Sequence, residues 1–156
     1  EESGGRVLGE ACPFFDFACH LLGKPVRVTA QTVWPTAGSK AFPDSVTAQM
    51  EFGDGSCTQI IYTAEGDTAF PKETFRVFAS GFVAEGENFQ KLTLYRGRKA
   101  TVEKFTSKGH AEEMEAWTKF LRAEGAHPMP YADSRQSMEA TFAVLESIQQ
   151  GRGIEL

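Results

Sequence analysis

Residues 46–63, VTAQMEFGDGSCTQIIYT, predict a β-hairpin and with it the class of the fold. Every second residue from 46 to 52 is apolar, which is the period of a strand with one buried face. Asp54-Gly55 then supplies turn residues that accept a positive φ, so the chain returns as a second strand over residues 57–63. Such a hairpin favours antiparallel pairing, because parallel strands need a crossover of about a dozen residues.

Further strand-like segments lie on both sides of this hairpin. Upstream, the alternation from Val26 to Trp34 predicts one half-buried strand. Downstream, Ser80-Gly81 and Arg96-Gly97-Arg98 are typical turn sequences between short alternating segments. The downstream strands are predicted over residues 74–79, 82–84, 89–95 and 100–105. We therefore expect an open, mainly antiparallel sheet of six or seven strands.

One helix is predicted before the strands, over residues 12–22. Pro13 lies near its first turn, where a missing N–H costs little, and Gly23 and Pro25 are typical of its end. Cys12 and Cys19 are seven residues apart on this helix, about 10.5 Å along its axis, too far for a disulfide or a shared zinc ion. We expect buried, free thiols.

The last third of the chain is predicted to be helical. Ser107 is a candidate cap for a helix that ends near Gly125, and Asp133 or Ser134 starts a final helix that Gly151 stops. The apolar face of the final helix is predicted to be Met138, Phe142, Leu145 and Ile148. Helices that flank the strands rather than alternate with them indicate an α+β domain, with helices on one face of the sheet.

Length and charge limit the class of protein. The 156 residues are enough for one compact domain, so we predict a single domain over residues 1–156. A net charge of -5 argues against a nucleic-acid partner, because phosphate neutralisation needs clustered Lys and Arg. No apolar run approaches the roughly 20 residues of a membrane helix. The acidic Glu1-Glu2 is unlike the start of a signal peptide, so we expect a cytoplasmic protein.

The motifs of nucleotide chemistry are missing from the sequence. A dinucleotide site needs G-x-G-x-x-G between a strand and a helix, so that backbone amides hold the pyrophosphate. Gly4, Gly5 and Gly9 have the wrong spacing and no preceding strand. We therefore expect no cofactor site in this chain, and any chemistry must be shared with another domain.

The segment from Gly4 to Asp16, GGRVLGEACPFFD, resembles the start of the C-terminal domain in the family of glucose-fructose oxidoreductase, inositol dehydrogenase and MocA-like proteins. It is similar in particular to the sub-group whose motif runs G-E-x-C-H-F-x-D. Weaker similarities follow in the same order as in the family, at residues 22–25, 52–56, 62–67, 70–73 and 151–156.

This resemblance implies a fold, a cofactor and partners. The family's second domain is an open, mainly antiparallel sheet, like the C-terminal domain of glyceraldehyde-3-phosphate dehydrogenase. It contributes substrate contacts and packs against a partner subunit. The parent protein is expected to add an N-terminal Rossmann domain that binds NAD or NADP. The chain would then serve as the substrate-side and oligomerisation domain of an oxidoreductase acting on a sugar, polyol or related hydroxyl compound.

The resemblance also selects candidate site residues. The family's motif histidine, which helps move the substrate hydroxyl proton, aligns with Pro13, and proline has no titratable group. Glu10, Asp16 and Lys72 are the candidate substrate-binding residues. Each residue also has a structural interpretation. Glu10 would be an acid at a helix start, Asp16 a hydrogen-bonded acid within a helix, and Lys72 the exposed ion-pair partner of Glu73.

Two other classes of function stay open. The chain is a non-catalytic family member that serves as a binding or dimerisation module, which Pro13 favours. Alternatively, it is a free-standing carrier of a small ligand, which needs a closed apolar pocket and no cofactor. A homo-oligomer through the open sheet face is expected for the oxidoreductase domain and for the binding or dimerisation module, because exposed apolar patches usually mark interfaces.

Overall fold

The computed structural model describes residues 5–32, 45–63 and 65–156. These residues form two compact units, one from the residues up to 65 together with 129–156, and one from residues 66–128. This division does not test the prediction of a single domain, which stays a prediction. The helices are α1 (Cys12–Leu22), α2 (His110–Leu121) and α3 (Tyr131–Gln150), and a π-helical turn (Val7–Ala11) precedes α1. The strands are β1 (Pro25–Thr32), β2 (Val46–Phe52), β3 (Cys57–Tyr62), β4 (Thr74–Ala79), β5 (Phe82–Glu87), β6 (Lys91–Arg96), β7 (Lys99–Lys104) and β8 (Ile154–Glu155).

The first unit contains an antiparallel sheet in the order β3-β2-β1-β8. The predicted hairpin is confirmed, since β2 and β3 pair from Val46 opposite Tyr62 to Glu51 opposite Cys57. Gly55 has φ 86°, which is the conformation that the Asp54-Gly55 turn requires. The short strand β8 was not predicted, because two residues carry no periodicity of their own.

Helices α1 and α3 and the π-helical turn pack on one face of this sheet. Phe15 of α1, Val28 of β1 and Met50 of β2 are fully buried in the resulting core. The bounds of α1 agree with the prediction, and Pro13 lies in its first turn. Burying a large side chain such as Phe15 stabilises the fold by roughly 1.5–3 kcal/mol. This unit therefore has a hydrophobic core of its own.

The predicted buried face of α3 is correct only in part, since Leu145 and Ile148 pack against the core without being fully buried. Phe142 is 53% exposed, whereas the buried positions of the helix are mostly small or hydroxyl-bearing. The buried residues of α3 are Ser137, Ala140, Thr141, Ala143, Val144 and Ser147. Small side chains let the helix approach both β1 and α1, so size and not hydrophobicity selects the face. The helix also begins at Tyr131, two residues before the predicted start.

Ser147 connects α3 to the edge of strand β1. Strand β8 pairs with β1 only at Arg27 and Val28, so the ladder ends before Ala30. The Ala30 N–H donates instead to Ser147 Oγ at 2.8 Å, and the same hydroxyl donates to the Arg152 carbonyl at 2.6 Å. Because a buried N–H without a partner is costly, this hydroxyl completes the strand.

The second unit contains an antiparallel sheet in the order β4-β5-β6-β7. The prediction of one sheet with six or seven strands is therefore wrong: the described strands form two four-stranded sheets, and β3 and β4 are edges of different sheets. Alternation and turn residues locate strands, but the partner of each edge is decided by long-range packing. The α+β class and the antiparallel pairing are confirmed.

Two smaller predictions also need correction. Val26 was expected on the buried face with Val28, but it is 42% exposed, because the pairing of β1 with β2 shifts register between Pro25 and Arg27. Ser107 does not cap α2. The N-cap is Gly109, and Ser107 Oγ accepts from the Gly109 N–H at 3.2 Å. Trp34, the predicted end of the first strand, lies outside the described residues.

All three cysteines are free thiols, and the burial predicted for Cys12 and Cys19 is complete only for Cys19. Cys19 is buried and Cys12 partly buried, whereas Cys57 is exposed at the start of β3. In the described parts of the chain, no helix is both long enough and apolar enough to span a membrane.

Candidate functional site

Glu10 is the centre of a small polar cluster at one end of the first sheet. It lies in the π-helical turn that precedes α1, and such turns are frequent at functional sites. Tyr62, the last residue of β3, donates its hydroxyl to Glu10 Oε2 at 2.5 Å. Arg6 Nε lies 3.4 Å from Glu10 Oε1, one turn away. Both carboxylate oxygens therefore have a defined partner.

This cluster is open to solvent. The side chains of Arg6 and Glu10 are 41% and 53% exposed, so the ion pair itself contributes little stability. The ring of Phe14 lies 6.3 Å from that of Tyr62 at an interplanar angle of 45°, which restrains the tyrosine on its apolar side. The result is an oriented carboxylate and phenol at the surface, a pair that can bind a hydroxyl-bearing ligand.

Pro13, at the position of the family's motif histidine, is exposed one turn after Glu10. Its ring has no hydrogen-bonding group, so it can shape a site but cannot exchange a proton. Along the chain, the Cys12 thiol is adjacent to this position, and the nearest carboxylates are Glu10 and Asp16, each three residues away.

Asp16 lies in a different environment. Its Oδ1 accepts a hydrogen bond of 2.5 Å from Ser137 Oγ of α3. This bond joins the two helices of the first unit across 121 residues of sequence. Because of this hydrogen bond, one function of Asp16 is structural. Asp16 is also exposed, and its contact with a substrate stays a prediction.

Lys72 belongs to the second unit. Its side chain is 87% exposed, and its ammonium is 3.8 Å from Glu73 Oε1. Glu73 has a closer partner in Lys108, whose Nζ lies 2.8 Å from Glu73 Oε2, and its side chain is only 12% exposed. The structure thus ties Glu73 to Lys108 and leaves Lys72 in solvent. None of the described contacts joins Glu10, Asp16 and Lys72.

Sequence reasoning missed four partners of the candidate residues, namely Arg6, Tyr62, Lys108 and Ser137. Arg6 and Glu10 have the i,i+4 spacing of a helical ion pair, so that signal was available. Tyr62 is 52 residues from Glu10, and nothing local marks it as a partner.

The two thiols near Asp16, Cys12 and Cys19, have low reactivity. Burial raises the pKa of the Cys19 thiol. Burial also raises the pKa of Cys12, and the Asp16 carboxylate adds to that increase. A thiol with a raised pKa is a poor nucleophile at neutral pH. Neither cysteine is therefore a candidate catalytic group.

The described residues do not fit an NAD(P) site. Such a site uses a parallel βαβ unit with a Gly-rich turn, whereas the strand pairs described in each sheet are antiparallel. Over residues 5–32, 45–63 and 65–156, no group of three His, Cys, Asp or Glu side chains can hold a metal ion.

Comparisons with known proteins identify the fold. No family model matches the sequence, and no curated protein has a significant sequence match. Solved structures do match. An oxidoreductase from Agrobacterium radiobacter in complex with NAD+, L-tartaric acid and magnesium has a TM-score of 0.77 at 17% identity, covering 96% of this chain and 48% of that one.

Two further structures show the same relation. The aldose-aldose oxidoreductase from Caulobacter crescentus, complexed with glycerol, has a TM-score of 0.80 at 15% identity and covers 98% of this chain and 48% of its own. The UDP-N-acetylglucosamine 3-dehydrogenase from Acidithiobacillus ferrooxidans has a TM-score of 0.78 at 19% identity, with 92% and 47% covered.

The chain spans about half the length of the solved structures it matches. The match to half of a longer oxidoreductase agrees with the fold that the resemblance to the glucose-fructose oxidoreductase, inositol dehydrogenase and MocA-like family implies. The protein therefore has an α+β fold that matches about half of each of these longer oxidoreductases.

Proposed function

We propose that this chain is the substrate-side and oligomerisation domain of a cytoplasmic NAD(P)-dependent oxidoreductase that acts on a sugar, polyol or related hydroxyl compound. The observation that carries the proposal is the coverage: nearly the whole chain matches about half of each longer oxidoreductase. One of these proteins is in complex with NAD+, one is an aldose-aldose oxidoreductase, and one is a UDP-N-acetylglucosamine 3-dehydrogenase. A separate N-terminal Rossmann domain would supply the nucleotide site, which the described residues do not fit.

Glu10 is the substrate-binding residue that the geometry supports best. Tyr62 and Arg6 hold its carboxylate, yet half of its side chain stays accessible to a ligand. A carboxylate accepts hydrogen bonds from substrate hydroxyls and, with Pro13 in place of the motif histidine, Glu10 is the first candidate to accept the hydroxyl proton. Asp16 and Lys72 are proposed as further substrate contacts, Asp16 beside α3 and Lys72 on the solvent side of Glu73.

The second candidate function is a non-catalytic binding or dimerisation module. Exposed Pro13 favours it, because the position at which the family places a proton-transfer residue is chemically inert here. In that case the Glu10, Tyr62 and Arg6 cluster binds a hydroxyl-bearing ligand without a reaction.

The complete gene product, including any residues upstream of Glu1, distinguishes these candidates. Polyol-dependent reduction of NAD+ or NADP+ would support the enzyme. Glu10→Gln should then lower kcat/KM by about 10²–10⁴-fold, the usual contribution of a positioned general base. The matched control is Glu146→Gln on the exposed side of α3, which should leave kcat/KM unchanged.

Pro13→His gives the complementary result. If the residue at the motif histidine position transfers the proton in this protein, kcat should be low with Pro13, and the substitution should raise it. Replacing a first-turn proline costs the helix little stability. Normal turnover that neither Pro13→His nor Glu10→Gln alters would refute both assignments. Absence of turnover in every variant, with retained binding of a polyol, would favour the module.

The isolated chain provides a separate test of the cofactor proposal. We expect no micromolar affinity for NADH, because no phosphate-cradling Gly-rich loop is present in the sequence. A fluorescence titration that gives such an affinity would contradict the assignment of the nucleotide site to another domain.

The oligomer is proposed to form through the open face of the first sheet. The residues of that face are half-buried or exposed, and they are mostly polar where an apolar patch was expected, with Ile61, 71% exposed, the main exception. The residues of the face are Arg27, Thr29, Gln31, Thr47, Gln49, Glu51, Cys57, Gln59 and Ile61. Sedimentation at tens of micromolar protein tests the proposal, and Ile61→Asp should shift a dimer to monomer.

A further inference from the structure

The two hairpin turns of the second sheet lie side by side at one end. Phe82 pairs with Arg96, so the β4–β5 turn at Ser80-Gly81 is the neighbour of the β6–β7 turn at Gly97-Arg98. The two turns and their flanking residues line an open surface pocket of about 590 Å³. The charged and aromatic side chains that line it are Phe78, Phe82, Tyr95, Arg96, Arg98 and Lys99.

Two of these cations face each other across the hairpin. Arg96 is directly opposite Lys99, so their side chains emerge on the same face, and like charges in this arrangement destabilise a sheet. The other like-charged pair, Lys91 opposite Lys104, is compensated, because Lys91 Nζ lies 2.7 Å from Glu87 Oε1. No described residue provides such an acid for Arg96 or Lys99.

The third cation occupies a strained position. Arg98 has φ 63°, in a turn where Gly or Asn is preferred because a side chain resists this conformation. The chain thus places an arginine where the backbone disfavours it, beside two cations that already repel each other. Departures from local rules that nothing else compensates are characteristic of functional sites.

The composition of the lining indicates the ligand. No acidic side chain lines the pocket, although the protein as a whole carries a net charge of -5. Arginine forks match the oxygens of a phosphate, and a terminal phosphate carries up to two negative charges. Phe82 is 38% exposed and is the cross-strand neighbour of Arg96, so its ring is available for stacking with a flat group.

We propose that this end of the second sheet binds a small phosphomonoester, with its phosphate on Arg96, Arg98 and Lys99 and a flat ring against Phe82. The site is distinct from the Glu10 cluster of the first unit and does not depend on the oxidoreductase proposal. The phosphate neutralises the repulsion between Arg96 and Lys99. The ring contact selects among phosphates.

Calorimetric titration of the chain with inorganic phosphate and with AMP tests the proposal. AMP, a phosphomonoester with a flat ring system, should bind several-fold more tightly than inorganic phosphate, at about 20 mM ionic strength where screening is weak. NADH, which has no phosphomonoester, should bind more weakly than AMP. No heat of binding with AMP up to millimolar concentration would overturn the proposal.

The variants separate binding from folding. Arg98→Asn removes a charge but places a preferred residue in the turn, so the sheet should keep or gain stability while AMP affinity falls by about tenfold. Lys104→Gln removes a cation from the other end of β7 and should leave AMP affinity unchanged. Equal losses in the two variants would indicate general charge attraction and refute a defined site.

A second variant tests the ring contact. Phe82→Leu should bring the affinity for AMP down to that for inorganic phosphate, while phosphate binding itself is unchanged. If Phe82→Leu keeps the preference for AMP, the stacking part of the proposal is wrong.

Discussion

The two sheets have the same antiparallel design but are stabilised in different ways. In the first unit, α1 and α3 cover one face of the sheet, and Phe15, Val28 and Met50 are completely buried. In the second unit, Ala84 is the one apolar residue described as buried. Its strands are joined by backbone ladders, and side-chain contacts between them, such as that of Arg76 with Glu85 at 2.6 Å, are exposed. Strand pattern alone therefore says little about where the stability of a domain resides.

Truncation of the first core should have the largest effect. Phe15→Ala removes a fully buried ring and should lower the free energy of unfolding by about 3–5 kcal/mol, through lost burial and the cavity left behind. The matched change in the second sheet is Phe78→Ala, where the ring is 75% exposed and the loss should be within about 0.5 kcal/mol. Urea unfolding measures both. Similar losses would contradict the contrast between the units.

Ser147→Ala should have the next largest effect. The substitution leaves the Ala30 N–H without its acceptor and the Arg152 carbonyl without its donor, which should cost about 1–3 kcal/mol. Amide hydrogen exchange should also become faster at Ala30. Gln149→Ala, two residues away on the exposed side of α3, serves as the control and should be close to neutral.

Gly86→Ala should affect the second unit by a comparable or smaller amount. A Cβ at this position would lie 2.1 Å from the ring of Phe75, which also contacts Phe89 at a centroid distance of 5.7 Å. Displacing the ring should cost about 1–3 kcal/mol. In a Phe75→Leu background the same substitution should cost much less. Equal costs in both backgrounds would show that the glycine is required for another reason.

The smallest effect is expected from the ion pair on the second sheet. The hydrogen bond from Arg76 lowers the pKa of Glu85 below its usual value. A carboxyl with a lowered folded pKa contributes stability above its unfolded pKa of about 4.3, and that contribution disappears as the pH falls through the folded pKa. The melting temperature should therefore fall slightly less between pH 6 and pH 3 in Glu85→Gln than in the native protein. High salt should reduce the difference.

Much of the secondary structure followed from local signals. The bounds of α1 and β4 were predicted correctly, because Pro13, Gly23 and Pro25 mark the helix ends and the Ser80-Gly81 turn marks the end of the strand. The buried face of α3 was predicted only in part, because its fully buried residues, such as Ala140 and Ser147, are selected for close approach and not for hydrophobicity. Of the candidate site, Glu10 was found from its motif, whereas its partner Tyr62 was not.

By itself, the sequence determined the α+β class, the hairpin turns at Asp54-Gly55, Ser80-Gly81 and Gly97-Arg98, and the absence of a Gly-rich nucleotide loop. It misplaced the turn between β5 and β6, because Phe89, predicted to lie in a strand, has φ 53° and β6 begins at Lys91. These features depend on residue spacing and backbone preference within a few residues. The tertiary structure alone decided that the strands divide between two sheets, that Asp16 binds Ser137, and that Tyr62 orients Glu10. The physical reason is that hydrogen bonds between residues 52 or 121 positions apart depend on how the core packs, and no local pattern encodes that packing.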